Sequence, residues 1–188
     1  MKSVLISIQP KWVEKIASGE NTIEVRKTRP KWETPFKCYI YCTKGFKFKD
    51  FKFSTKFQEN YNRQGKVVGE FVCDRVIEWK YLPDHTDENE YEYYIVSKDG
   101  YATCLTYDEI ENYGQGKTLY GWPISNLVIY DKPKELSEFK KPCDRFLDCI
   151  TCKRLVRNDF LSCDNKITRP PQSWCYVEKN KNEQATEL

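Results

Sequence analysis

No apolar run in this 188-residue sequence approaches the ~20 residues that a membrane-spanning helix needs, which excludes a helical membrane protein. The opening Val4-Leu5-Ile6-Ser7-Ile8 gives way at once to Gln9-Pro10-Lys11, too short for the apolar core of a secretory signal. The expected compartment is therefore the cytoplasm. Internal repeats are lacking as well. The single histidine, His85, falls inside the acidic stretch PDHTDENEYEY, expected to be an exposed loop. What is present is a chain with 39% hydrophobic and 31% charged residues, and with 13 Tyr, 10 Phe and 5 Trp. That is too aromatic for a disordered chain and too polar for a membrane protein. The length suits one domain with a proper core and one smaller appendage.

The formal net charge of +3 is a small excess, but it is unevenly spread. Residues 1–80 carry 17 Lys and Arg against 9 Asp and Glu, residues 81–134 carry 4 against 10, and residues 135–188 carry 10 against 9. A basic first half beside an acidic middle predicts one positively charged face of the kind that attracts phosphate backbones.

Strands dominate the pattern. Val4–Ile8 is β-rich; Pro10 suits the first turn of a helix, Trp12, Val13, Ile16 and Ala17 recur at helical spacing, and Gly19 closes it. In NTIEVRKT, Ile23 and Val25 alternate with Thr22, Glu24 and Arg26, which predicts a half-buried strand. KCYIYCT reads as a third strand. KVVGEFVCDRVIEW reads as one longer strand with a bulge at Gly69. TYDEIENYG has the marks of a short helix, with Thr106 as cap, Glu109 three residues on and Gly114 at the end. GKTLYGWPISNLVIYDKP supplies one or two final strands, with Pro133 as a boundary. Several strands with two short helices predict an α+β fold built on a small mixed barrel.

Two of these segments carry a family likeness. SIQPKWVEKIASGENTIEVRK resembles the signature of ASCH domains, members of the PUA-like superfamily, and LYGWPISNLVIYDKPKEL resembles their closing strand and exit. The resemblance spans roughly residues 1–135. It implies a small PUA-like β-barrel with flanking short helices and a cleft beside the signature strand. It also implies RNA or modified nucleotides as ligands, with some members acting as nucleases or as amidohydrolases on an acetylated cytidine. In that amidohydrolase branch a catalytic lysine and a threonine nucleophile occupy the positions held here by Asn21 and Glu24. Asparagine is no base, and a carboxylate does not replace a hydroxyl nucleophile directly.

The charged strand offers a polar face of Thr22, Glu24 and Arg26, joined by Lys11 and Lys27. Arginine presents a planar fork to a phosphate or a base edge, and Glu24 accepts hydrogen bonds from an exocyclic amine or from the arginine itself. A pocket for a splayed-out nucleotide also needs an aromatic wall, for which Trp12, Tyr120 and Trp122 are the candidates. The plainer alternative is a solvent-facing Glu24/Arg26 pair that decorates a strand. For acid/base chemistry the candidates are Glu24 and Glu70. The interleaved Lys and Phe of residues 44–57 fit an amphipathic strand as well as a base-stacking track, and Arg29, Lys31, Lys47, Lys49 and Lys52 could form an electrostatic rim.

Beyond Pro133 the character changes. Five of the nine cysteines fall in residues 143–175, and Cys149-x-x-Cys152 has the spacing of a zinc knuckle. Cys163 and Cys175 follow closely enough to complete an expected four-thiolate site, with Cys143 as the substitute for any of the four; the alternative is a redox pair at Cys149/Cys152, which lacks the usual βαβ surroundings. Such a zinc would be structural, since four thiolates leave no open position, and residues 136–188 are expected to form a small zinc-bound module with a frayed tail. Cys38, Cys42, Cys73 and Cys104 sit in strand-like runs, where buried thiols are the ordinary case.

Three functional classes follow. The first is a nucleic-acid or nucleotide binder using the cleft beside residues 21–28, with RNA ahead of DNA as partner and no membrane partner. The second is an enzyme on nucleic acid or a modified nucleoside, with Glu24 or Glu70 as acid/base and Arg26 on the phosphate. The third is a protein-interaction adaptor of phage or mobile-element type, working through the acidic loop at residues 81–95 or through residues 143–175.

Overall fold

The computed structural model describes residues 1–45, 63–80, 103–143 and 165–178. The Lys/Phe-rich segment, the acidic loop with His85, and Cys149, Cys152 and Cys163 lie outside the described residues.

In chain order the elements are β1 (Ser3–Ile8), α1 (Pro10–Ala17), β2 (Ile23–Arg26), β3 (Phe36–Cys42), β4 (Val67–Cys73) and β5 (Ile77–Trp79). They continue with α2 (Tyr107–Gly114), β6 (Leu119–Pro123), β7 (Ser125–Lys134) and β8 (Trp174–Val177). The strands form a five-stranded sheet in the order β7-β4-β3-β1-β8 and a three-stranded sheet in the order β2-β6-β5. The result is a mixed, sheet-dominated α+β fold, as the strand-rich pattern predicts. None of the described helices is long and apolar enough to cross a membrane.

The centre is built on β1 and β3, which pair in parallel from Ser3↔Lys37 to Ile8↔Cys42. Val4, Ile6 and Ile8 of β1 face the same side as Phe36, Cys38, Ile40 and Cys42 of β3, where they meet Ile16 of α1 and Trp122 of β6. The opposite face of the same strands carries Leu5, Tyr39 and Tyr41, covered by Leu136, Phe139, Ile167 and Val177. Burial on both faces is why these strands read as unbroken apolar runs instead of alternating ones. Truncating a fully buried residue such as Ile6 would cost about 2–5 kcal/mol. Three of the strand thiols are part of this packing: burial pushes Cys42 up to about 11 and Cys73 up to about 12, and holds Cys38 well above its ordinary value. They are core residues, not nucleophiles.

The helix signals hold. Pro10 opens α1, and beyond the Ser18 cap Gly19 takes φ +80°, where its amide donates to the Ile16 carbonyl. Thr106 and Glu109 cap α2 reciprocally, side chain to backbone in both directions. Its left-handed residue is Gln115, one position after the expected Gly114.

Two strand boundaries differ from expectation. Residues 66–79 form two strands in different sheets, because the chain leaves β4 at Cys73 and re-pairs with β6 from Ile77. The bulge at Gly69 is present: the β4/β7 register shifts there, and a Cβ would lie 2.5 Å from the Val128 carbonyl oxygen. Pro133 does not end a strand but sits inside β7, tolerated because β7 is an edge strand among the described residues. Strand β8, from the cysteine-rich segment, lies at the other edge of this sheet, antiparallel to β1.

Candidate ligand cleft

Strand β2 pairs with β6, so Glu24 stands opposite Trp122 and Arg26 opposite Tyr120. Residues two apart on a strand share a face, which brings the two charged side chains together. Arg26 Nη2 lies 2.9 Å from Glu24 Oε1 and donates to the Ser7 carbonyl at 2.8 Å. Each of the two residues is 8% exposed, so the expected half-buried strand with a wet polar face is instead enclosed on both sides. The pair lies in a cleft of about 510 Å³, a size within the usual ligand range.

Besides β2, several segments wall this cleft. Helix α1 contributes Lys11 and Trp12, α2 contributes Glu109 and Tyr113, the end of β1 contributes Ser7, and the turn before β8 contributes Gln172 and Ser173. The turn is pinned to β1: the Ser7 hydroxyl donates to the Pro171 carbonyl at 2.6 Å and the Ser7 amide donates to the Ser173 carbonyl at 2.9 Å. At the mouth, Lys11 Nζ sits 4.1 Å from the centre of the Trp12 ring and 3.3 Å from Glu109 Oε1.

Electrostatics single out the inner pair. Burial pushes the Glu24 carboxyl above its ordinary value, and the attraction and hydrogen bond of Arg26 offset only part of that. Burial likewise raises the Tyr113 hydroxyl, which hydrogen-bonds the Arg26 side chain. Arg26 still keeps a buried Nε with no hydrogen-bond partner among the described residues. An unspent donor beside an uncomfortable carboxylate costs about 1–3 kcal/mol, which a ligand presenting the complementary atoms would relieve.

The structure sorts the residues expected here. Lys11, Trp12, Glu24 and Arg26 come together in the cleft. Lys27 lies just outside, its Nζ 4.8 Å from the centre of the Tyr113 ring. Thr22 does not line the cleft; its carbonyl accepts from the Ile124 amide, extending the β2/β6 pairing by one residue. Trp122 is fully buried, edge-to-face with Phe36 at 5.3 Å and with Trp174 at 5.9 Å, so no ring face is left for stacking. Tyr120 packs against the main core beneath Arg29. Glu70 is on β4 away from the cleft, where it bonds Lys37 and Tyr130. Asn21 lines the cleft and spends its side-chain oxygen on the Cys104 amide at 3.1 Å.

Tyr113 and Glu109 are the cleft residues that strand reasoning missed. Glu109 and Tyr113 are four apart on α2, a spacing that puts them on one face, which was the available signal. The turn at residues 171–173 lies about 150 residues from β2 in sequence, and nothing local announces the contact.

No protein-family model matches the sequence, and no curated protein matches it. Among solved structures, the ASCH protein from Zymomonas mobilis has the same fold: TM-score 0.55 at 16% identity, covering 100% of this chain and 95% of that one. A tyrosine-to-phenylalanine variant of it aligns with TM-score 0.55 at 15% identity over 100% and 99% of the two chains. A serine-to-alanine variant gives 0.55 at 16% over 98% and 94%. The chain therefore has an ASCH-type fold. That agrees with the likeness carried by residues 7–27 and 119–136.

Proposed function

We infer that the cleft binds a nucleotide unit of single-stranded RNA, with the base inserted towards Glu24 and Arg26. The observation that carries this is the buried Glu24–Arg26 pair, whose Nε donor has no partner among the described residues, sharing a nucleotide-sized cleft with Trp12 and Tyr113. A base edge offers amines to the carboxylate and ring acceptors to the guanidinium, while the aromatic walls supply stacking. Lys11 at the mouth and Lys27 beside Tyr113 suit the phosphate.

The test is fluorescence-anisotropy titration with short single-stranded RNA and DNA at several salt concentrations, using wild type, Glu24→Gln and Arg26→Lys. Both substitutions should weaken RNA binding about tenfold or more, since each removes a paired donor or acceptor. Binding unchanged by either would reject the cleft as the site. An enzymatic role is the second reading, favoured by the raised carboxyl of Glu24 in a ligand-sized cleft. It requires that bound RNA or nucleoside be turned over, and that Glu24→Gln abolish turnover.

A structural zinc held by Cys149, Cys152, Cys163 and Cys175, with Cys143 as substitute, belongs to the same proposal and is supported by the spacing. Of these, Cys175 is half-buried in β8 and burial raises its thiol, a cost that metal coordination would offset by deprotonating it outright. Zinc analysis of the purified chain should find one ion per chain, lost in Cys149→Ser. A metal-free, fully folded wild type would overturn it.

A further inference from the structure

Beyond the cleft, the loop that leaves β2 crosses the edge strand β8. The Trp174 indole donates to Thr28 Oγ1 at 3.0 Å, and the Lys31 amide donates to the Tyr176 hydroxyl at 3.0 Å. These bonds assemble three half-buried rings in a row: Trp174 and Tyr176 at 5.3 Å between centres, then Tyr176 and Trp32 at 4.0 Å. The row starts where the cleft ends, because Trp174 directly follows Ser173 of the cleft wall. It is edged with positive charge. Arg29 and Lys31 are exposed on the crossing loop, and Lys2 holds its ammonium 5.2 Å from the centre of the Trp32 ring. Between residues 27 and 33 the cations Lys27, Arg29 and Lys31 face a single acid, Glu33.

We propose that Trp32, at the end of this ridge, is a second subsite that stacks one further base of a single RNA strand whose inserted nucleotide occupies the cleft. The proposal rests on the cleft being a nucleotide site and extends it to an oligonucleotide track. Trp174 and Tyr176 stand nearly perpendicular, with 74° between their planes, and Tyr176 and Trp32 pack against each other with their planes tilted by 37°, so no base fits between these rings and the outer face of Trp32 is the one that can take a base. The exposed cations supply phosphate contacts beside it, the pairing of stacking platform and basic rim that single-strand binders use. Lys2 marks the outermost ring face: an exposed, four-carbon chain swings aside for a base and keeps its charge available for the adjoining phosphate.

The experiment compares a mononucleotide with a 12-mer RNA of mixed sequence, measured by calorimetry and anisotropy on the full chain. The proteins are wild type, Trp32→Ala, Trp32→Phe and Glu24→Gln. Trp32→Ala should weaken the 12-mer roughly tenfold, the size of one lost base–aromatic stack, and leave the mononucleotide unchanged. Trp32→Phe should recover most of the loss, and Glu24→Gln should weaken both ligands. A 12-mer affinity that stays within about twofold in Trp32→Ala overturns the ridge. Equal weakening of both ligands by Trp32→Ala also overturns it, since the ring would then only support the cleft. If Glu24→Gln changes nothing while Trp32→Ala still weakens the 12-mer, the cleft reading fails and the ridge stands.

Discussion

Two carboxylates in this molecule each sit beside a cation and a tyrosine, and they behave in opposite ways. Glu24 lies in the cleft with Arg26 and Tyr113, and burial wins: its carboxyl is raised. Glu70 lies on β4 with Lys37 and Tyr130, and although burial also pushes it up, the hydrogen bonds from those two side chains outweigh it and its carboxyl is lowered. The difference is one of supply. Glu70 receives a donor on each oxygen and is satisfied within the fold. Glu24 is the more deeply buried of the two, and among the described residues Arg26 alone stabilises its charge. A satisfied cluster is structural; a cluster with bonding capacity left over is where a ligand gains by arriving.

Breaking each cluster should therefore have different consequences. The largest effect is expected for Arg26→Met, which strands a buried carboxylate and should cost about 3–5 kcal/mol of stability by urea denaturation. A loss under about 1 kcal/mol would mean that Glu24 protonates freely and that the pair is not mutually dependent. Next comes Glu70→Gln, which weakens two charge-assisted hydrogen bonds and should cost about 1.5–3 kcal/mol at neutral pH without altering RNA affinity.

The pH dependence sharpens the contrast, because the two shifts have opposite signs. Glu70, with a lowered folded value, contributes stability that is present above its ordinary 4.5 and is lost as pH falls through the folded value. Glu24, with a raised folded value, contributes stability that is full below 4.5 and is lost as pH rises through the folded value. Thermal midpoints measured from about pH 3 to pH 8 should show Glu70→Gln flattening the acid side and Glu24→Gln flattening the side above 4.5. Both variants altering the same limb would undo the comparison. RNA affinity should also fall as acid protonates Glu24, since a neutral carboxyl is a weaker acceptor.

Local signals carried most of the elements. The Pro10 start and the Thr106 capping box are each decided within a few residues, and the structure keeps them; the period-two run keeps its strand but loses its expected wet face. Glu24, Arg26, Lys11 and Trp12 were legible as a site because they crowd into sixteen residues. What stayed hidden depends on contacts across long stretches of chain. Trp122 reads as an exposed-face aromatic until the two sheets meet over it, and Glu70 reads as a cleft residue until β4 turns it towards Lys37 and Tyr130. The role of Ser173 and Trp174 needs β8 to return to β1, a pairing that no turn or spacing in the sequence encodes.

The third carboxylate–cation pair, Lys11 with Glu109, completes the series with the smallest expected effect on stability. Both side chains are 40% exposed, so water and salt screen them, and such pairs contribute only about 0.2–1 kcal/mol. Glu109 is also the capping residue of α2, where its carboxylate accepts from the Thr106 amide at 3.0 Å, so replacing Glu109 would mix two roles. Lys11 is the cleaner target. Lys11→Ala should leave the urea midpoint nearly unchanged, yet it should reduce the dependence of log affinity on log salt by about one charge if Lys11 meets a phosphate at the cleft mouth. An unchanged salt slope would detach Lys11 from the ligand and leave it as a surface partner of Glu109. A large loss of stability would show that the bridge between α1 and α2 holds the cleft together, and would move this pair from the mouth of the site into the fold.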